Sequence, residues 1–327
     1  MNDIRPELPQ RSAIDGFDGE VLVITCDDFS GVRRTERNFK NDLPVDELRE
    51  RLNNIREKIE QSTPATEDLK VLMITHKVLA SQQGYEQLLD ILDDGLRNKE
   101  DPFLIFFADM VESIYYALDT SNTQLLFETL GVKRYPITKK SEKTKWKKLY
   151  DQLTEVRTQK AIDVLEAVIY SQLIPIPPKV DGWYRLYKNA PETMYASEAT
   201  IQQFLQLDYA QFIAVKDFLY PDAQFSTEHG VKGEEYDNVI FVISKGWNQY
   251  QFETYAPMIT GHVAVPKGKE ASYERNRNLF YVCCSRPKKR LFIFVTVPID
   301  ATFRKFLITL VGEQNIFTYQ QFMKMTY

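Results

Sequence analysis

The sequence predicts an α/β fold, a parallel sheet covered by helices and interrupted by an all-helical stretch. Three observations carry that expectation. Over the first hundred residues, short β-branched apolar runs alternate with amphipathic segments of helical period, the pattern of strands joined by crossover helices. From residue 101 to 172 the strand signals fade while large apolar residues recur at helical spacing. Strand-like runs then return at 238–243 and 292–295.

Taken in order, residues 1–19 are polar and punctuated by proline and glycine, so they read as a lead-in loop. The run 21–26 (Val-Leu-Val-Ile-Thr-Cys) is a strand, and Asp27-Asp28 ends it at a sheet edge or begins a turn. Between Pro44 and Gln61, Leu48, Leu52, Ile55 and Ile59 recur at spacings of four, three and four, which predicts an amphipathic helix with a charged outer face. Residues 71–75 form a second strand, followed by His76-Lys77 and an apolar-periodic segment through Leu92. Residues 103–118 and 123–130 read as helices whose aromatic side chains, Phe106, Phe107, Tyr115 and Tyr116 among them, belong to a core. Residues 143–173 read as one long helix, and Ile-Pro-Ile-Pro-Pro (174–178) as an extended connector. One or two helices follow over 198–219, then the strand at 238–243. A long loop at 245–269 carries Trp247, Tyr250, Phe252 and Tyr255, rings that either stack on a ligand or pin the loop. After the strand at 292–295, helical patterning from Phe303 to Tyr327 closes the domain.

At 327 residues the chain can bury a substantial core and hold two domains, or one interrupted by another. We divide it into 1–100 (first part of the sheet domain), 101–185 (helical insertion) and 186–327 (second part of the sheet domain). Hydrophobic content of 43% with 27% charge excludes dominant disorder. A net charge of −5 argues against coating nucleic acid by bulk electrostatics, so any DNA contact must come from a local patch. Cys26, Cys283 and Cys284 make no disulfide framework, and three histidines lack metal-ligand spacing. The N-terminus has no signal-peptide pattern, and no apolar run reaches the roughly 18 residues a membrane span needs. These features predict a soluble, cytoplasmic protein with no membrane partner.

Two stretches carry chemistry. The first, Thr227-Glu-His-Gly-Val-Lys-Gly-Glu-Glu-Tyr-Asp237, enters the strand at 238–243 with two glycines, a histidine, a lysine and carboxylates in one loop. Backbone freedom and charge together are what a phosphate or nucleotide site needs, although Lys-Gly-Glu-Glu also suits an ordinary surface turn. The second runs from Arg275 to Leu291. Its apolar positions between Arg277 and Arg286 suit a short buried helix that delivers Arg286 to its C-terminal end, where Pro287 bars continuation. Ser-Arg-Pro-Lys-Lys-Arg (285–290) also has the composition of a solvated basic loop. A third feature is the cluster Lys133, Arg134, Lys139, Lys140, Lys143, Lys145, Lys147 and Lys148, which faces only Glu142 and encloses Trp146. It reads equally as a phosphate-backbone contact, with Lys143 and Lys147 at its centre, or as a solvated helix face.

The first two stretches resemble the last two motifs of UvrD/Rep-like superfamily 1 DNA helicases. Thr227, His229, Lys232, Gly233, Glu235 and Tyr236 match T-x-H-x-x-K-G-x-E-[FY]. Arg277, Leu279, Tyr281, Val282, Ser285, Arg286 and Pro287 match R-x-L-x-Y-V-x-x-[ST]-R-[AP]. The resemblance implies a RecA-like parallel sheet of the P-loop NTPase type, the C-terminal motor domain called 2A, with a 2B-type helical insertion. It implies ATP as cofactor and single-stranded and duplex DNA as partners, with 3′ to 5′ polarity. On the resemblance, Arg286 reaches across a cleft to the γ-phosphate, Glu235 holds the ribose hydroxyl, Gly233 and Lys232 shape the turn, and Arg277 supports Arg286. Thr227 and His229 contact single-stranded DNA, joined by His76, although a lone histidine there reads more readily as a cap on a strand end.

Neither a G-x-x-x-x-G-K-[ST] phosphate loop nor a paired-acid D-E-x-x strand for magnesium occurs in the sequence. The expectation is therefore the C-terminal half of a helicase, inactive alone, whose ATP site and Mg²⁺ depend on an N-terminal half or partner subunit. The alternative is a helicase-derived accessory that binds DNA or a partner without motor function. No D…E-x-K cluster supports a nuclease.

Overall fold

The computed structural model describes residues 4–5, 7, 19–73, 76–92, 96, 101–132, 139–189, 196–219, 225–227, 233–245 and 250–326. The chain divides into two compact units, residues 1–82 with 222–327, and residues 83–221.

Among the described residues the first unit is built on six strands: β1 (Glu20–Thr25), β2 (Leu69–Met73), β3 (Phe225–Thr227), β4 (Tyr236–Ile243), β5 (Pro287–Val295) and β6 (Ile316–Thr318). They lie in the order β3-β2-β4-β5-β1-β6, and every pairing is parallel. Parallel strands are covered on both faces, which is why the covered parts of β1, β4 and β5 (21–24, 239–243 and 291–295) are continuous apolar runs and were legible as such. Successive side chains alternate between faces. Val239, Phe241 and Ile243 of β4 and Leu291, Ile293 and Val295 of β5 share one core with Phe252, Phe280, Phe303 and Phe306. The helices Phe252–Ile259, Glu270–Cys284 and Ala301–Val311 supply those rings. Elsewhere in this unit the helix Val45–Ser62 buries Leu48, Leu52, Ile55 and Ile59, the stripe its period predicts. Asn54 donates to the Tyr319 hydroxyl at 2.9 Å, and Lys58 Nζ to the Met323 and Met325 carbonyls at 2.9 and 2.6 Å, tying that helix to Tyr319–Lys324.

Two features of this unit differ from the sequence expectation. The aromatic loop expected over 245–269 contains the helix Phe252–Ile259, and Phe252 packs at 5.4 Å from Phe241 and 5.7 Å from Phe280. Its ring is therefore core, while Trp247 lies outside the described residues. The tract 287–290, read alternatively as a basic loop, is the first half of β5.

All helices and strands described wholly within residues 83–221 are helical. Asp101 caps the helix starting at Pro102 by accepting from the Phe103 and Leu104 amides, and a π-helical turn, Ile105–Val111, continues it. The expected single helix over 143–173 is two, Lys140–Val156 and Ala161–Ser171. Asp163 turns back to accept from the Lys160 N–H, and the Ala161 N–H donates to the Leu207 carbonyl at 2.9 Å, so tertiary bonds redirect the chain at 157–160. The unit begins and ends at 83 and 221 where fading strand signals suggested 101 and 185. Flanking helices explain the difference: the Leu88 N–H donates to the Gln211 side chain, and Phe204 and Phe212 pack on Phe103 and Phe107. A bidentate ion pair, Arg157 to Glu112 at 3.0 and 2.6 Å, sits in this core. No described helix is long and apolar enough to cross a membrane.

Candidate functional site

β4 and β5 run side by side with Tyr236 opposite Pro287. The residues ahead of them, Glu235 and Arg286, therefore come to one edge of the sheet, the amino edge. Pro287 has no N–H and cannot extend the helix Glu270–Cys284, so the chain turns into β5 directly after Arg286. The Tyr236 N–H donates to the Arg286 carbonyl at 2.9 Å. The Arg286 guanidinium donates from Nε to the Val282 carbonyl (3.2 Å), from Nη2 to Ser285 Oγ (2.9 Å) and from Nη1 to the Glu234 carbonyl (2.9 Å). All three acceptors are neutral, and among the described residues no carboxylate forms an ion pair with Arg286. Of five N–H groups, three fix the orientation while the charge stays uncompensated, which is what an arginine offered to an anion requires.

Beside it, Glu235 is exposed, and among the described residues its carboxylate has no partner. Gly233 has φ +87°, and a Cβ there would meet nothing within 4 Å. Glycine is thus needed for the backbone angle, not for close approach. The Tyr236 phenol donates to the Glu234 carboxylate. Burial first, and that bond second, raise the phenol pKa above its ordinary value.

The other cations at this edge are neutralised. Glu67 accepts from Lys289 Nζ (2.9 Å), Arg290 Nη1 (2.6 Å) and Asn238 Nδ2 (3.2 Å). Lys289 also pairs with Asp237 at 3.2 Å, and Arg290 with Glu20 at 3.6 Å. The bond from Lys289, helped by Asn238 and Arg290 and opposed by burial, keeps the Glu67 carboxyl below the usual carboxylate value. Of the basic residues in the tract 286–290, only Arg286 faces no acid among the described residues.

The carboxyl edge, where open α/β sheets usually collect ligands, is filled over its central strands. Arg33 donates to the Thr296 carbonyl beyond β5 (2.7 Å) and to the Cys26 carbonyl beyond β1 (2.6 Å). Asp42, 3% exposed, accepts from the Thr296 hydroxyl and from the Leu43 and Lys245 N–H groups, and burial pushes its carboxyl pKa up. Thr227 ends β3 opposite Met73 of β2, and the helix His76–Gln83 starts close beyond β2. Met73 is also opposite Val242, six residues along β4 from Tyr236, or about 20 Å at ~3.3 Å per residue. The first motif therefore spans both edges: Thr227 and His76 lie at the carboxyl edge, and Gly233 and Glu235 at the amino edge. His229 and Lys232 lie outside the described residues.

Arg277 sits within Glu270–Cys284, where its Nη2 bonds Glu7 at 3.1 Å and its Nε is buried without a partner. No bond joins it to Arg286 among the described contacts. In the unit 83–221, Lys143 and Lys147 are exposed, as are Lys139, Lys140, Lys145 and Lys148, and none forms an ion pair among the described residues. Trp146 is 4% exposed and packs inward, so it is not the stacking aromatic that its position among the lysines suggested. Lys133 and Arg134 fall outside the described residues. Glu234, which sequence reasoning passed over, occupies an open position of its motif and acts through its main-chain carbonyl, for which no residue pattern exists. No group of His, Cys, Asp or Glu among the described residues could hold a metal ion.

No family model matches the chain. Over 99 residues it is 31% identical to the Gabija protein GajB of Bacillus cereus (strain HuB5-5). The match covers 28% of this chain and 14% of that protein, so the chain is similar to GajB in part and spans well under two thirds of its length.

Proposed function

We propose that this chain is the second motor region of an ATP-driven DNA helicase of the UvrD/Rep-like kind, acting 3′ to 5′ when joined to a domain that carries a phosphate loop. The observation that carries the reading is the junction of residues 234–236 with 285–287 at one sheet edge, because it brings two motifs far apart in sequence into a single site. On this reading the unit 1–82 with 222–327 is a RecA-like 2A domain and residues 83–221 are its 2B-type insertion.

The residues at the amino edge fit a nucleotide. Among the described residues, Arg286 has N–H groups to offer and no acid to neutralise it, and Glu235 is an exposed acceptor without a partner, suited to a hydroxyl. ATP, with Mg²⁺ held by the phosphate-loop domain, supplies the free energy of phosphoryl transfer when bound. Arg286 stabilises charge on the transferred group, as an arginine supplied by a neighbouring domain does in this chemistry. Glu235 orients the ribose, and Gly233 sets the backbone that presents it. Arg277, through Glu7, stiffens the helix Glu270–Cys284 that leads to Arg286. Thr227 and His76, on the carboxyl side, contact single-stranded DNA, a role His229 and Lys232 share by their motif positions, and Lys143 and Lys147 of the helical unit contact phosphates. The β4 segment between the two edges then links nucleotide contact to DNA contact. The partial similarity to the Gabija protein GajB accords with a region that works within a longer protein.

The test is Arg286→Ala in an assembly that contains the phosphate-loop partner. DNA-stimulated hydrolysis should fall by about 10³-fold or more, with DNA affinity kept. Undiminished hydrolysis would remove Arg286 from the role. A second reading, a DNA- or partner-binding accessory without motor function, draws on the structural bonds that Arg286 also makes.

A further inference from the structure

Two of the three bonds that hold the Arg286 guanidinium are local. Val282 and Ser285 belong to the last turn of the same helix and its cap, and they move with it. Among the described residues, only Nη1 to the Glu234 carbonyl links the guanidinium to the other motif. Yet Glu234 is an exposed loop residue directly after Gly233, whose φ of +87° lies in a region glycine enters freely. Something must hold its carbonyl in place.

The only side-chain bond that Glu234 makes among the described residues is to the Tyr236 phenol. Tyr236 is itself well anchored. Its N–H is bonded to the Arg286 carbonyl, its ring lies 5.1 Å from Lys70 Nζ, and its body packs against the main core of the sheet unit. We propose that the Tyr236–Glu234 pair is a positioning device for Arg286: the phenol fixes the Glu234 carboxylate, the carboxylate fixes the loop, and the loop carbonyl aims the guanidinium. The inference deepens the reading of Arg286 as the phosphate-facing arginine and rests on it for function, while the positioning itself is independent of any ligand. A phenol is protonated across the physiological range, and burial raises the Tyr236 pKa further, so the donor is always present. Glu234 takes part through an ordinary carboxylate at a position the motif leaves open, which makes the device a property of this chain.

The experiment uses the full chain labelled with ¹⁵N-arginine and reads rotation about the Cζ–Nη bonds of Arg286. Arg33, held by three main-chain carbonyls at the carboxyl edge, is the internal control. Tyr236→Phe and Glu234→Ala should each speed Arg286 rotation about fivefold, the factor one ordinary hydrogen bond carries, with Arg33 unchanged. Glu234→Gln, whose amide oxygen still accepts from the phenol, should behave as the parent. Unchanged Arg286 rotation in both Tyr236→Phe and Glu234→Ala overturns the positioning role, and so does equal loosening of Arg33, which would mark a general loss of order. Hydrolysis by the assembled motor is measured separately. A looser Arg286 with undiminished hydrolysis supports the positioning device and removes the phosphate role.

Discussion

Replacing Glu67 by Gln removes one charge from the amino edge of the sheet and leaves the shape intact. The carboxylate joins the ends of three strands, because its bonds reach Lys289 and Arg290 on β5 and Asn238 on β4 from the residues just before β2. Breaking a fully buried pair costs about 3–5 kcal/mol, and an exposed one about 0–1. Glu67 is 9% exposed, but Lys289 and Arg290 are 28% and 25% exposed and keep Asp237 and Glu20 as second partners. An intermediate loss of about 2 kcal/mol follows, or about 30-fold in the opening equilibrium. Because the chain has two units, one melting curve would mix them, and the readout should be local. Native-state hydrogen exchange of the β4 and β5 amides, corrected for intrinsic rates, supplies it. The sign of the pH dependence is fixed by the lowered carboxyl pKa. The folded form favours ionisation, so the stabilisation is fully present above the ordinary value of 4.5 and is lost as pH falls through the lower folded value. The gap between parent and variant should stay level from neutral pH to about 5 and close below that. A gap under about 0.5 kcal/mol at neutral pH, or one that survives acidification, would refute the reasoning.

Two other outcomes follow. Arg157→Ala strands a Glu112 carboxylate that is 3% exposed, and should cost the helical unit about 3–5 kcal/mol. Urea unfolding followed by Trp146 and Trp183, both within residues 83–221, measures it, and a loss below about 1 kcal/mol would place the pair effectively in water. Lys143→Gln with Lys147→Gln should weaken single-stranded DNA binding and flatten its salt dependence by about 0.7 per lost phosphate contact. Anisotropy titrations across a salt series read the slope, and an unchanged slope would leave both lysines as a solvated helix face.

The sequence made some of this architecture legible and hid the rest for physical reasons. The runs 21–24, 239–243 and 291–295 of β1, β4 and β5 are visible because the stretch of a strand covered on both faces must be apolar, and Val45–Ser62 because one helix face meets the core. The break at 157–160 was hidden because the apolar period runs through it. It is created by the Asp163 side chain and by a bond from Ala161 to Leu207, which is distant in sequence. The helix Phe252–Ile259 looked like an aromatic loop because Phe252 is turned toward a core partner, Phe280, that only the fold supplies. At the candidate site, spacing brought Glu235 and Arg286 into view through their motifs. It gave no hint of the Glu234 carbonyl, nor of Arg33 and Asp42 closing the carboxyl edge, since these contacts join main-chain atoms to residues in unpatterned loops.

The geometry also changes which residue separates a working motor from a retired one. From the motifs alone, an intact Arg286 argues for phosphate chemistry, because an accessory protein has no need of it. In the fold, Arg286 has a structural use: its guanidinium and carbonyl fasten residues 234–236 to the start of β5. An accessory that had lost all motor function would still be selected to keep it. Glu235 has no such use, because among the described residues its exposed carboxylate bonds to nothing. Glu235→Ala should therefore leave stability within about 0.5 kcal/mol of the parent, as for surface positions without contacts. In the assembled motor it should raise KM for ATP if the carboxylate holds the nucleotide. Unaltered kinetics alongside unaltered stability would leave Glu235 without a role in either the fold or the reaction, and the accessory reading would then be the better account of this edge.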